Sequence, residues 1–384
     1  MNIYMDYAST SIQKPPAVMK AMAEIISSNH YGNPSRGAHQ YSMNAQRVVN
    51  KVKEQILQLL NASSDTYDVL FTQNATTALN MVIKGCVKAQ QHVLTSDWEH
   101  NAVLRPLYEL EQSKNILLNF LESATLTGMF DYQQCDQFIK QKSPDWLILN
   151  HASNVTGNCL NLEAIKQMAY QAGVPIILDS SQTFGTVPID FSDKIITALA
   201  FTGHKSLYGP MGIGGLVIKK DIEMYPLISG GDGLEPFAKV MPQHQEAGTL
   251  NVPGIAGLGG ALESFDNKGE SVAKKQLSLR EKTIYFRHAL EKINGLTLYG
   301  EVEEQTVGVI SCNIHDIPSA MVGDILATDY NISVRTGFHC APLIHGCLNT
   351  TSQGTLRFSI GAATTYEEID YVINRMEELG REIE

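Results

Sequence analysis

Between Asn44 and Leu60, the stretch NAQRVVNKVKEQILQLL places apolar residues three and four apart, the period of an amphipathic helix. Elsewhere the apolar positions fall in short unbroken runs that stop at polar residues: YDVLFTQN, DWLILNHASN, VPIILDSSQ and ITALAFTGHK. Such runs predict strands buried on both faces. Helical patterns such as LEAIKQMAYQAG separate them, and this one stops at a Gly before Val-Pro. Strands alternating with helices predict βαβ units and a parallel sheet. From about Gly254 the texture changes. GIAGLGGALESF reads as a small-residue helix start, and a charged helical stretch follows around KKQLSLREKTIYFRHALEKI. Then VGVISCNI, ISVRTG and GTLRFSIG predict strands ahead of a last helix, TYEEIDYVINRMEELGREIE. The expectation is an α/β large domain over 16–255, a smaller α+β domain over 256–384, and an N-terminal segment, 1–15, packed with the small domain.

In open parallel sheets, ligands sit beyond the carboxyl ends of the strands. That rule selects the polar residues ending the runs: Thr76 and Thr77, His100, Asn154, Asp179 with Gln182, and Thr202 with His204 and Lys205. No G-x-x-x-x-G-K-[ST] is present, and GPMGIGG lacks the dinucleotide register. What remains is a Lys at one strand end and an Asp at another. Pyridoxal phosphate needs this pair: the Lys bonds the cofactor covalently, and the carboxylate keeps the pyridine nitrogen protonated so that the ring can accept electrons. Its phosphate needs hydroxyl and N–H donors, which NATTALN offers at a strand-to-helix turn. A flat side chain must stack on the ring, and His100 is placed for that. Taken singly, Lys205 is a surface Lys, Asp179 a cap, His100 a packed ring, and the Thr pair an N-cap. Their joint occurrence at successive strand ends favours the cofactor site.

Bulk properties narrow the class. The chain has 384 residues, enough for one large and one small domain. Its net charge of -11 disfavours nucleic acid and anionic membranes as partners. No apolar run reaches the roughly 18 residues of a membrane span, and MNIYMDYAST has no signal-peptide pattern. The six cysteines, at 86, 135, 159, 312, 340 and 347, form no disulfide framework, so a reducing, cytoplasmic setting is expected.

The segment VRTGFHCAPLIHGC crowds His339, Cys340, His345 and Cys347 together. Two nitrogen and two sulfur ligands would suit zinc. The spacing is poor, because adjacent His339 and Cys340 seldom reach one ion and no Cys-x-x-Cys is present, so no metal site is expected. Cys347 is expected to be a bystander packed in the small domain.

The order YMDYAST, NATTALN, EHNA, ASNVTG, LDSSQ, FTGHKSLYGPMGIG, EAGTLN, RTGFHCA and LRFSIG resembles the cysteine desulfurases (NifS/SufS-like, group II-like) of the class V aminotransferase family. The resemblance runs from Tyr4 to about Gly361. It implies the type I pyridoxal-phosphate-dependent transferase fold and a homodimer with shared active sites. It also implies roles. Lys205 would hold the cofactor and move the substrate α-proton. Asp179 would pair with the pyridine nitrogen, Gln182 with the phenolate oxygen, and His100 would stack. Thr77 with Thr76, Thr202 and His204 would bind the phosphate, and Thr249 would reach the phosphate of the neighbouring subunit. Asn154, Arg357 and Arg335 would bind the substrate, with Asn154 and Arg357 at its carboxylate. Cys340 would attack the sulfur of L-cysteine, leaving alanine and a persulfide for an acceptor protein. Arg335 and His339 could lower its thiol pKa.

Three positions depart from the family pattern: Phe338 where a second His is usual, Pro342 where a Gln is usual, and Ser206, an extra residue after Lys205. Selenocysteine lyase or cysteine-sulfinate desulfinase chemistry at the same site is the alternative reading, with a His/Cys metal module behind it.

Overall fold

A seven-stranded sheet organises the larger part of this computed structural model, which describes residues 2–34, 37–231, 237, 246–265, 270–302, 304–315 and 317–382. In chain order the first elements are β1 (Ile3–Tyr4), α1 (Pro16–Ser27), α2 (Gln40–Leu59), β2 (Tyr67–Thr72), α3 (Ala75–Cys86), β3 (His92–Ser96), α4 (Asn101–Lys114) and β4 (Leu117–Leu121). Next come α5 (Tyr132–Lys142), β5 (Trp146–Asn150), α6 (Leu162–Ala172), β6 (Ile176–Asp179), β7 (Ile196–Thr202), β8 (Gly214–Lys219), α7 (Val252–Leu262) and α8 (Glu270–Leu290). The chain ends with β9 (Leu296–Tyr299), β10 (Val309–Ile314), α9 (Ser319–Thr328), β11 (Ile332–Ser333), β12 (Arg335–Gly337), α10 (Ile344–Cys347), β13 (Thr355–Ser359) and α11 (Tyr366–Glu382).

The large sheet runs β2-β8-β7-β6-β5-β3-β4. Strands β4, β3, β5, β6 and β7 are mutually parallel, whereas β8 is antiparallel to both neighbours. Alternation within β6 shows why the apolar runs are unbroken. Ile177 packs with α3 and α4 on one face, and Ile176 and Leu178 pack with helices on the other. Both faces are covered, so both phases of each strand must be apolar. Helix α6 ends at Gly173, whose φ of 68° is the left-handed cap that its sequence predicted.

A four-stranded antiparallel sheet, β12-β13-β10-β9, forms the second layer structure, flanked by α8, α9 and α11. Strand β1 pairs in parallel with β11, and Asp6 bridges to Ser359 at the end of β13. The expected division between residues 255 and 256 falls inside α7. That helix packs with α1 and α2, and its Ile255, Leu258 and Leu262 sit in the core under the large sheet. A wholly apolar helix cannot leave that core midway, so the passage to the second sheet comes later, along α8.

Candidate active site

The carboxyl ends of the parallel strands lie side by side. Asn150 of β5 pairs with Asp179 of β6, which pairs with Ala200, two residues before Thr202 of β7. Beyond them is a cavity of about 90 Å³. Thr76, His100, Asn154, Asp179, Gln182, Thr202, His204 and Lys205 all line it. These eight residues come from five segments of the chain, which the sheet brings together.

The walls of this cavity set the charge states. Burial lowers the Lys205 ammonium to about 8. Asp179 opposes that shift, while Arg357 and Arg335 add to it. Burial likewise lowers His100 to about 4, again opposed by Asp179 and reinforced by Lys205. His100 is therefore neutral near pH 7. It is the N-cap of α4, and its Nδ1 accepts from the Ala102 N–H at 3.0 Å, which leaves the proton on Nε2. His204, also lowered to about 4 by burial, bonds Thr10 through Nδ1 at 3.0 Å. Asp179 accepts from the Ser181 N–H at 2.9 Å and from its hydroxyl. Gln182 donates to the Ala8 carbonyl at 3.1 Å. Thr202 Oγ1 and Asn154 Oδ1 are buried without a partner.

Two expected residues lie elsewhere. The N-cap of α3 is Asn74, one residue before Ala75, and Thr77 gives it both its N–H (2.9 Å) and its hydroxyl (3.2 Å). Thr76 faces the Lys205 cavity, and Thr77 faces a second cavity of about 240 Å³. Thr249 lines that second cavity, exposed, and accepts from Asn33 at 3.3 Å. Within one chain, then, Thr77 and Thr249 form a pair apart from Lys205.

The Cys340 loop meets the cavity from the second sheet. Cys340 is exposed, while four of the other five free cysteines are buried and Cys347 is partly buried. Both His339 (φ 50°) and Cys340 (φ 61°) adopt left-handed backbone, a sparsely populated state for residues with a Cβ. Two bonds to cavity segments hold them. Asn154 Nδ2 donates to the His339 carbonyl at 2.7 Å, and the Asn101 N–H at the start of α4 donates to the Cys340 carbonyl at 2.7 Å. Arg335 Nη2 reaches Cys340 Sγ at 3.6 Å. His339 does not support the thiol as expected. It is buried, its Nε2 is engaged by Thr355 at 2.9–3.0 Å, and burial drives its pKa well below the ordinary value, so it carries no charge.

The rest of the His/Cys cluster is packing. His345 is buried with Nδ1 on Thr350 at 2.7 Å, and Phe338, 45% exposed, meets its ring edge-on. Cys347, on α10, packs against a core that joins Leu94, Trp98 and Leu149 of the large-sheet side to Tyr299, Ile344 and Leu348 of the C-terminal part. Burial pushes its thiol up to about 12. Among the described residues, no group of three or more His, Cys, Asp and Glu is arranged to hold a metal ion.

Arg357, 1% exposed, points its Nη1 at the Asn154 carbonyl (2.9 Å) and its Nη2 at Asp6 (2.8 Å) and Ser9 (3.0 Å). Neither Asp6 nor Ser9 stood out in the sequence as a site residue, although both lie in YMDYAST. Glu99 was missed as well. It is fully buried, accepts from the Ser96 hydroxyl at 2.7 Å and the Asn150 N–H at 2.9 Å, and is pushed up to about 8 by burial. Its neighbour in EHNA was the only signal.

With the geometry in place, the sequence profile described as Aminotransferase class-V matches residues 3–372. The chain belongs to the class V aminotransferase family. The fold is the type I pyridoxal-phosphate-dependent transferase fold of that family, as read from the motifs. A probable cysteine desulfurase of Methanothermobacter thermautotrophicus is 30% identical, over 98% of this chain and 94% of its own length. The apo structure of a cysteine desulfurase from Thermococcus onnurineus superposes with a TM-score of 0.88 at 26% identity, covering 99% of this chain and 95% of that one. The cysteine desulfurase CsdA of Escherichia coli, solved as its S-sulfonic acid form, gives 0.83 at 26% identity, covering 100% and 95%. The resemblance to cysteine desulfurases thus extends over nearly the whole chain. No helix among the described residues is long and apolar enough to cross a membrane.

Proposed function

We propose that this protein is a cysteine desulfurase that converts L-cysteine to L-alanine and keeps the sulfur on Cys340. The observation that carries this reading is an exposed thiol under the Arg335 guanidinium, pinned by its own carbonyl to the residue following His100 at the Lys205 cavity. An ordinary aminotransferase has no use for a nucleophile there.

The residues fit pyridoxal 5′-phosphate. That group demands an amine, a carboxylate and a nest of donors within one cavity, and Lys205, Asp179, Thr76, Thr202 and His204 share one. The unpartnered Thr202 hydroxyl supports the fit, because a buried hydroxyl costs free energy until something bonds it. We assign Lys205 to the covalent link, Asp179 to the pyridine nitrogen, Gln182 to the phenolate oxygen and His100 to the ring face. Thr76, Thr202 and His204 take the phosphate within the chain. Thr77 and Thr249 are assigned to a phosphate across a homodimer interface, which their separate cavity supports. The bound group supplies an electron sink that lets a Cα–H bond break as a proton.

The chain's own residues do the rest. Arg357 and the Asn154 side chain hold the substrate carboxylate, and for Arg357 the carboxylate takes over from Asp6. A guanidinium fork suits a carboxylate in a bidentate way. Lys205, lowered to about 8, reaches the free-amine form near neutrality far more readily than a solvated Lys, and it moves the α-proton. Neutral His100 keeps an N–H for transfer to a developing charge. The Cys340 thiolate attacks the substrate sulfur: an S–S bond forms, the Cβ–S bond breaks, and its electron pair leaves with the carbon fragment. The thiol proton and the α-proton end on alanine and its amine, so cysteine plus Cys340 thiol becomes alanine plus Cys340 persulfide. The two sulfurs are oxidised to the persulfide level and the substrate Cβ is reduced by the same two electrons, so no outside oxidant is needed, and an acceptor protein removes the outer sulfur.

The short tether between β12 and α10, with its two carbonyl anchors, supports the restrained group II-like form. A large domain, a small domain and an N-terminal segment shared with the latter, working in the cytoplasm as a homodimer, complete the proposal. The test is to add L-cysteine to purified holoprotein and measure alanine and Cys340-bound sulfur in equal amounts. Cofactor-loaded protein that makes no alanine from cysteine ends this reading, and a preference for selenocysteine in kcat/KM replaces it with a lyase.

A further inference from the structure

Ser9 touches both arginines of the site. Its hydroxyl donates to Asp6 Oδ1 at 2.8 Å and accepts from Arg335 Nη1 at 2.9 Å and Arg357 Nη2 at 3.0 Å. A hydroxyl has one proton and two lone pairs, so these three bonds use all of its capacity and fix its rotor. The other arms of the two arginines reach the chemistry. Arg335 Nη2 contacts Cys340 Sγ at 3.6 Å, and Arg357 Nη1 holds the carbonyl of Asn154 at 2.9 Å.

The platform under Ser9 is rigid relative to Arg357. The Ser9 N–H closes a turn onto the Asp6 carbonyl at 3.1 Å, and the Ala8 N–H donates to Ser359 Oγ at 2.9 Å. Ser359 is two residues beyond Arg357 on β13. Two guanidinium groups this close repel each other, and long side chains of this kind lose much rotamer freedom when ordered. Asp6 pairs with Arg357 at 2.8 Å, whereas Arg335 meets Ser9 instead.

We propose that Ser9 is a positioning residue that sets, from one oxygen, Arg357 for the substrate carboxylate and Arg335 for the Cys340 sulfur. The two ends of the substrate, its carboxylate and its departing sulfur, are then measured from a common point. When the carboxylate displaces Asp6 from Arg357, Ser9 still holds Arg335 over the thiol. The proposal rests on the desulfurase reading for the Cys340 half and only on a carboxylate at Arg357 for the other half.

The experiment compares holoenzyme carrying Ser9→Ala or Ser9→Thr with wild type, rates being normalised to cofactor content so that misfolded protein is divided out. The first readout is exchange of the L-alanine α-hydrogen with D2O, which needs the carboxylate site and Lys205 but not the thiol. The second is single-turnover formation of the Cys340 persulfide at saturating L-cysteine. Each charged hydrogen bond lost predicts an effect of roughly 10- to 150-fold. Ser9→Ala raises KM for exchange and slows persulfide formation, each by an amount in that range. Ser9→Thr, which keeps the hydroxyl, restores both to within about threefold. Both readouts staying within about twofold of wild type in Ser9→Ala overturns the proposal, as does a loss that Ser9→Thr shares in full. Wild type that exchanges alanine but forms no persulfide sinks the desulfurase reading instead, and the exchange readout still decides Ser9's hold on Arg357.

Discussion

The Lys205 cavity and the Cys340 loop solve opposite problems. The cavity is the end of a sheet covered on both faces, where burial strips water from polar groups and moves their protonation: Lys205 falls to about 8 and His100 and His204 to about 4. The Cys340 thiol stands in solvent between buried His339 and Ala341, and the loop's geometry comes from hydrogen bonds reaching over from the cavity side. Burial tunes the first region, and tethering aims the second. A site that must hold a cofactor for many turnovers suits the former. A thiol that must pass sulfur to a partner needs the latter, because a buried persulfide cannot be collected.

The largest effect should come from removing the cavity's amine. Lys205→Ala is expected to lower alanine formation by about a thousandfold or more and to abolish the cofactor's lysine-linked absorption band. Cys340→Ala should stop persulfide formation and cut alanine formation from cysteine by about a hundredfold or more, yet leave cofactor content and α-hydrogen exchange at wild-type levels. A parallel loss of exchange would show that the two regions are not separable. Arg357→Lys keeps the charge but loses the fork. It should raise KM for cysteine by roughly 10-fold with a smaller change in kcat.

The pH dependence isolates the effect of burial. Burial lowers the Lys205 pKa, so the folded apoprotein releases that proton at about 8 rather than near 10.5. Cofactor capture needs the free amine. Its rate in apoprotein should rise with pH up to about 8 and then level off, whereas a solvated Lys would keep accelerating to about 10. By the same sign, unfolded chain binds more protons than folded chain between those values, so this group makes the fold more stable as pH rises through that window. The smallest expected effect belongs to the loop's departure from its relatives. Phe338→His swaps a half-exposed ring that contacts His345, and should change kcat by no more than about threefold, as read by alanine release.

Much of the first region was legible in sequence, because strands buried on two faces announce themselves as unbroken apolar runs and the sheet rule points to their ends. Asp179, Thr202 and Lys205 follow from that logic alone. Thr76 and Thr77 show its limit: neighbours on a helix point about 100° apart, and only the structure shows that Asn74 caps α3 and turns Thr77 away from Lys205. The second region was legible as a motif but not as a geometry. His339 sits next to Cys340 in sequence, yet a left-handed turn sends its ring into the core while Arg335, five residues back, reaches the sulfur. Asp6 and Ser9 were invisible for a simpler reason. Their partners lie more than 300 residues away, and no local pattern encodes such a contact.

That separation has a bearing on how the protein comes into being. The segment with Asp6 and Ser9 leaves the ribosome well before its partners, so β1 has no strand to pair with until β11 exists, and Asp6 has no Arg357 until β13 is made. The strand ends bearing Asp179 and Lys205 are complete long before. Closing so long a loop costs little more than closing a moderate one, but it comes late. A growing chain therefore has the strand ends that line the Lys205 cavity before it has either Arg357 or Cys340. In the proposed reading, catalytic competence arrives only once residues 351 positions apart in the chain have met.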